Sequence, residues 1–234
     1  MALIEIEKLT KAFGFMPALR GVTLSVERGE SVALLGANGS GKSTLLRILS
    51  GLSKPTNGLI RVGGWELPRE ASAVRAQIGM VGHKPLVYEN LSARENLRFF
   101  GRLYGLDARA TEQRAEALLE QVGLSKRAND LVRTYSRGMF QRLSIARALL
   151  HQPDILLFDE PHTGLDQNAS ALLDSLLLDA RAEGRTILFA THELERAARV
   201  STRLVILQRG SVAHDGPSAG LDGAAVGALF AQKA

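Results

Sequence analysis

The run Gly36-Ala37-Asn38-Gly39-Ser40-Gly41-Lys42-Ser43-Thr44 fits the pattern G-x-x-x-x-G-K-[ST]. It follows the apolar stretch Ser31 to Leu35, which reads as a strand, and precedes a helical pattern reaching about Ser50, with Gly51 as its stop. Small residues let successive backbone N–H groups turn inward around phosphate oxygens, and a helix N-terminus favours anions through its free N–H groups and its dipole. Lys42 would reach the β- and γ-phosphates, and Ser43 would offer its hydroxyl to Mg²⁺. The expected ligand is a nucleoside triphosphate, with Mg²⁺ as the metal.

A second constellation is Ile155-Leu156-Leu157-Phe158-Asp159-Glu160-Pro161, an apolar strand that ends in two carboxylates. In an open α/β sheet ligands sit at the carboxyl ends of the strands, which puts this pair beside the phosphate loop. Neighbouring strand residues point oppositely, so two roles are available. Asp159 would hold Mg²⁺, through water, and Glu160 would orient and deprotonate the attacking water.

These groups need a scaffold. The chain has 234 residues, 45% hydrophobic and 23% charged, which excludes a disordered or fibrous protein. It has no cysteine, which excludes disulfides, thiolate zinc sites and cysteine nucleophiles and agrees with a reducing compartment. No apolar stretch approaches the length of a membrane span, and no signal peptide is evident at Met1. A net charge of +5 comes without a compact basic cluster, so no nucleic-acid partner is expected. Short apolar runs at Ser31 to Leu35, Ile78 to Val81, Ile155 to Phe158, Thr186 to Ala190 and Leu204 to Leu207 read as strands of a parallel sheet covered on both faces. Leu3 to Glu7 and Val22 to Val26 alternate apolar with polar, as antiparallel strands with one solvated face do. From Pro85 to Leu150 the pattern turns helical, over Ala93 to Tyr104 and Thr111 to Val122, with Gly123 as a stop. The expected fold is α/β: one parallel-sheet core, an N-terminal antiparallel layer, and an inserted helical subdomain. The boundaries are core 1–84 and 151–234, with the helical part at about 85–150. The tail from Gly216 reads as at most a weak final helix.

Three further segments narrow the chemistry. Tyr135-Ser136-Arg137-Gly138-Met139-Phe140-Gln141-Arg142 opens a helix just before the acidic strand and resembles the L-S-G-G-Q signature of ABC-type ATPases. Ser136 and Gly138 match; Tyr135, Arg137 and Met139 depart. Thr163-Gly164-Leu165-Asp166 resembles the family's D-loop, and Ala190-Thr191-His192-Glu193, at the end of a strand, occupies the place of its switch histidine. With the phosphate loop and the acidic pair, these segments make residues 3 to 215 resemble the ATP-binding cassette of ABC transporters. The resemblance implies a P-loop NTPase, RecA-like core and an ATPase coupled to transport through separate membrane subunits. It implies that Phe13 stacks on adenine and that Lys42, Glu160 and His192 act on the γ-phosphate and its water. It implies that two cassettes face head to tail, so that Ser136 and Gly138 would cap the ATP of the partner and Asp166 would communicate across the dimer. The chain would then sit on the cytoplasmic face of the cell membrane.

One position departs. Ile78-Gly79-Met80-Val81-Gly82-His83-Lys84-Pro85 aligns with the loop that usually carries Gln, and imidazole nitrogen is a poor Mg²⁺ ligand, so His83 is expected to act through water or as a mechanical link. The Gly82-His83 stretch and Leu91 to Phe100 resemble the haem exporter ATPases of cytochrome c biogenesis, the CcmA type. Another exporter, of drugs, lipids or polysaccharides, is the alternative. Tyr88, Phe99 and Phe100 are candidates to line a groove for a membrane subunit, while His151, His162 and His214 are read as structural. A soluble ABC ATPase of translation or repair would bring a second cassette or long coiled coils. A GTPase would bring Asn-Lys-x-Asp, and neither feature is here.

Overall fold

The computed structural model describes residues 2–82, 86–163, 165 and 167–233, without the side chains of Asn168 and Lys233. The antiparallel layer at the N-terminus is larger than the alternation of Leu3 to Glu7 and Val22 to Val26 indicated. Strands β1 (Ala2–Phe13) and β2 (Met16–Glu27) form a long antiparallel pair. After β3 (Ser31–Leu35) and helix α1 (Lys42–Leu49), strands β4 (Asn57–Val62) and β5 (Trp65–Leu67) extend this sheet in the order β2-β1-β4-β5. Neither β4 nor β5 was expected from the sequence, nor was the short helix α2 (Ala71–Ala76) that follows. Leu59-Ile60-Arg61-Val62 carries only a brief run of apolar side chains, and its pairing with β1 supplies the strand context that propensity does not.

Strand β6 (Ile78–Val81) then enters the second sheet. Between it and the next strand, the described residues are helical: α3 (Ala93–Leu103), α4 (Ala108–Gln121) and α5 (Arg137–Leu149), with two short 3-10 turns before α5. Helix α3 starts with a capping box, in which the Ser92 side chain accepts from Glu95 N while Glu95 accepts from Ser92 N. Strand β7 (Ile155–Asp159), α6 (Gln167–Ala182), β8 (Thr186–Ala190), α7 (Leu194–Val200) and β9 (Arg203–Gln208) complete the α/β alternation. The chain finishes with β10 (Ser211–Pro217) and α8 (Gly223–Lys233). The six-stranded order is β10-β9-β3-β8-β7-β6, parallel except for the edge hairpin β9-β10.

The pleat of this sheet divides the interior. Val32, Leu34, Ile155, Leu157, Leu188 and Val205 face the antiparallel sheet and α1, in one apolar cluster. Their neighbours Ala33, Leu35, Leu156, Phe158, Ile187 and Leu204 belong to a second cluster with α3, α4, α5, α6 and α7. The carboxyl ends of β3, β7 and β8 lie side by side, as shown by the parallel registers Leu34 to Ala190 and Asp159 to Ala190. The three segments expected to carry chemistry therefore leave the sheet at one edge.

Candidate active site

Two glycines of the loop from Gly36 to Gly41 are required by their close neighbours. A Cβ on Gly36 would lie 2.4 Å from Ser40 Oγ and 2.5 Å from the Leu207 carbonyl oxygen. Gly41, which caps α1, has φ +108°, and a Cβ there would meet Leu19 at 2.7 Å. Lys42 is buried; its Nζ donates to the carbonyl oxygens of Gly36 at 2.7 Å and Ala37 at 3.2 Å. Burial pulls its pKa below the ordinary lysine value, and the nearby Glu160 and Asp159 charges oppose that shift. Ser43 Oγ donates to Asp159 Oδ1 at 2.8 Å, so the first helical turn after the loop is bonded directly to the end of β7.

Two clefts lie between this loop and Glu160. One, of about 350 Å³, is lined by Phe13, Ala18, Asn38, Lys42, Ser43 and Glu160, among others. The other, of about 440 Å³, is lined by Gly36, Ala37, Asn38, Glu160, Thr191 and His192, again with others. Phe13 is 57% exposed, and the Lys11 ammonium lies 4.7 Å from its ring centroid, a cation–π contact. Glu160 reaches the clefts by a route that strand alternation does not describe. It has φ +50°, uncommon away from glycine, and its N–H donates to the Ala190 carbonyl at 3.0 Å. Its Oε2 lies 3.7 Å from His192 Nδ1 and accepts from Thr163 Oγ1 at 3.4 Å.

Ser136 caps α5, its side chain accepting from Met139 N at 3.3 Å. Neither Ser136 nor Gly138 lines the two clefts at the phosphate loop. Their neighbour Arg137 lines another cavity, of about 380 Å³, with Gly82, Tyr135, Gln141 and Glu160. His83 and Asp166 lie outside the described residues. Of the proposed groove, Tyr88 and Phe99 are exposed and meet edge to face at 4.9 Å, whereas Phe100 is buried in the core. Sequence reasoning passed over Thr163 and Gln141, whose Nε2 donates to the Pro161 carbonyl at 3.0 Å. Both lie within segments quoted for the resemblance, Gln141 in the signature run and Thr163 in the D-loop, but neither was given a role of its own. It also passed over Asp174, which no local pattern marks.

The residues present fit a nucleotide with Mg²⁺. Ser43 and Asp159 place two hard oxygens together beside the loop. Mg²⁺ takes oxygen ligands and keeps several waters, so one or two protein oxygens such as these suit it.

A family model described as ABC transporter matches residues 19–163. The ABC transporter ATP-binding protein NatA of Bacillus subtilis (strain 168) is 39% identical over 200 residues, covering 85% of this chain and 81% of that protein. The Nod factor export ATP-binding protein I of Cupriavidus pinatubonensis is 41% identical over 209 residues, 89% of this chain and 64% of that protein, so this chain spans under two thirds of it. The linearmycin resistance ATP-binding protein LnrL of Bacillus subtilis is 35% identical over 90% of this chain and 68% of its own length. Among solved structures, an ATP-binding subunit of an ABC transporter superposes with TM-score 0.89 at 32% identity, over 98% of this chain and 99% of that one. The cassette MJ0796, as a dimer in a post-hydrolysis state with ADP and Pi, gives TM-score 0.85 at 28% identity over 93% of this chain and 100% of that one. The relatives' names point to export and resistance and not to haem. This chain belongs to the ABC transporter family, as one of its ATP-hydrolysing ATP-binding cassettes.

Proposed function

We propose that this cassette hydrolyses ATP at a site shared between two copies and thereby drives export through separate membrane subunits. The observation that carries the reading is the meeting of Lys42, Ser43, Asp159, Glu160 and His192 at one edge of the sheet, with Glu160 Oε2 and His192 Nδ1 3.7 Å apart. The N–H groups of Gly36, Ala37, Asn38, Gly39, Ser40, Gly41, Lys42, Ser43 and Thr44 would cradle the phosphates, with Lys42 on the β- and γ-oxygens. Ser43 and Asp159 would hold Mg²⁺, which when bound neutralises charge on the β- and γ-phosphate oxygens. The open face of Phe13 would stack on adenine. Glu160 takes the proton of the attacking water; the water oxygen bonds to the γ-phosphorus as the bridging bond to ADP breaks and its electron pair leaves with ADP. His192 orients the γ-phosphate and that water.

In this reading Ser136 and Gly138, at the N-terminus of α5, face the γ-phosphate bound by the other copy. Asp166 passes the state of one site to the other, and His83 relays it towards the membrane subunits. The division of labour follows core 1–84 and 151–234 for the chemistry and the helices within 85–150 for the mechanical output. Among the described residues no helix is long and apolar enough to cross a membrane. Residence at the cytoplasmic face would therefore come through the partner subunits.

The cargo we favour is a drug, lipid or polysaccharide, since the relatives include proteins named for Nod factor export and linearmycin resistance. Haem is the second reading, supported by the Val81-Gly82-His83 stretch and by Leu91 to Phe100. The test is Mg²⁺-dependent hydrolysis by the purified chain across protein concentration, with Glu160→Gln as control. Specific activity should rise with concentration, and the variant should lose about 100-fold or more while accumulating as an ATP-bound dimer, the scale expected for a positioned acid–base group. A folded chain that binds no ATP would overturn the reading.

A further inference from the structure

Glu160 and His192 must be in register for the proposed reaction, yet they sit on different loops and their 3.7 Å approach is too long to be a hydrogen bond. Each loop is anchored a few ångströms away instead. His162 follows Glu160 by two residues; its ring is buried, with 2% of the side chain exposed, and its Nε2 lies 2.9 Å from Asp174 Oδ1 on α6. Asp174 is itself buried, and its other oxygen accepts from Arg196 Nε at 3.2 Å and from Arg199, both on α7. Arg196 also pairs with Glu193, the residue next to His192. The contacts close a ring: Glu160, Pro161, His162, Asp174, Arg196, Glu193, His192 and back to Glu160.

We propose that Asp174 is a positioning residue, which through His162 and Arg196 fixes the separation of Glu160 from His192 and so governs the hydrolytic step without taking part in ATP binding. The inference rests on the reading of Glu160 as the base. Two further features support it. Glu160 occupies a left-handed backbone conformation, which persists only where the surroundings hold it, and the His162 anchor lies two residues away. Burial, with Arg196 alongside, pushes the His162 pKa down against the pull of Asp174, so the ring donates to the carboxylate as a neutral imidazole. A neutral amide of similar reach should then serve, and a ring of similar volume without a donor should not.

The experiment compares His162→Phe, His162→Gln and Asp174→Asn in the full chain, reading kcat and KM for ATP hydrolysis, ATP affinity in Glu160→Gln backgrounds, and amide hydrogen exchange of segments 159–163 and 190–195. His162→Phe and Asp174→Asn should each lower kcat about 10- to 100-fold, the scale of a misplaced reacting group, with KM and ATP affinity within about twofold. His162→Gln should recover most of that loss, and His162→Phe combined with Asp174→Asn should be no worse than either alone. Exchange should rise in both segments for His162→Phe, although the substitution touches only one of them. The exchange measurement needs no turnover, so it decides even if the wild-type chain proves inactive alone. Unchanged exchange at 190–195, an equal rise in KM, or failure of Gln to restore activity would overturn the proposal. If Glu160→Gln abolishes turnover while all three variants keep wild-type kcat, the ring is wrong and the reading of Glu160 stands. If Glu160→Gln keeps turnover, the reading itself fails.

Discussion

The two faces of the six-stranded sheet are built from the same strands and differ in kind. Towards the antiparallel sheet and α1 the interior is apolar, with Leu34, Leu45, Leu46, Ile155, Leu157 and Val205 almost wholly buried. Towards the helices the apolar packing is interrupted by buried polar groups: Asn96, Arg147, His162 and Asp174. Arg147 donates to the Met80 carbonyl and lies over the Phe100 ring, and Asn96 bonds to the backbone of Tyr88 and Ser92. Dispersion and burial are not directional, so the first face resists displacement by close packing. Hydrogen bonds and buried charges are directional and costly when broken, so the second face is jointed, element to element, at particular bonded partners. The rigid face carries the phosphate loop; the articulated face carries Glu160, His192 and the helices proposed to meet a membrane subunit.

That contrast can be broken by substitution. Leu157→Ala, on the dry face, should cost about 2–5 kcal/mol in chemical denaturation, the largest effect expected. Asn96→Leu, on the articulated face, should cost about 1–3 kcal/mol by stranding the Tyr88 N–H and carbonyl, with faster hydrogen exchange confined to 88–96. An Asn96 cost equal to that of Leu157 with exchange raised throughout the sheet would erase the distinction. Ser92→Ala should cost about 1 kcal/mol through loss of the α3 capping box and should leave ATP affinity unaltered.

The smallest effect near neutrality is a pH dependence. Burial lowers the His151 pKa from 6.5 to about 4, against a hydrogen bond to the Ile78 carbonyl, and its ring stacks on Tyr104 at 3.8 Å. Above pH 6.5 the ring is neutral folded or unfolded. As pH falls from 6.5 towards 4 only the unfolded chain takes up the proton, so stability is lost across that window, with a slope below about 1.4 kcal/mol per pH unit. His151→Gln should flatten the slope, measured as denaturation midpoint against pH.

What the sequence made legible follows the reach of each interaction. The phosphate loop, the Asp159-Glu160 pair and the cap at Ser136 are local, since a few neighbouring residues fix both backbone and chemistry. The parallel strands were legible because burial on both faces leaves runs such as Ile155-Leu156-Leu157-Phe158. Strands β4 and β10 escaped, because each owes its conformation to pairing with a distant partner, β1 and β9. Glu160 was assigned to the right edge for an incomplete reason: its direction comes from a left-handed backbone and a bond to Ala190 rather than from alternation. His162 was read as structural, and the Asp174 that gives it a further meaning is 12 residues away in sequence, on another element.

The Lys42 ammonium rests on the carbonyl oxygens of Gly36 and Ala37, so the loop is shaped by one of its own side chains. An arriving phosphate then exchanges partners with that ammonium and has no chain to order. Nucleotide entry should accordingly be governed by encounter rather than by loop folding, with the observed binding rate climbing linearly with ATP concentration and no plateau from a preceding conformational step.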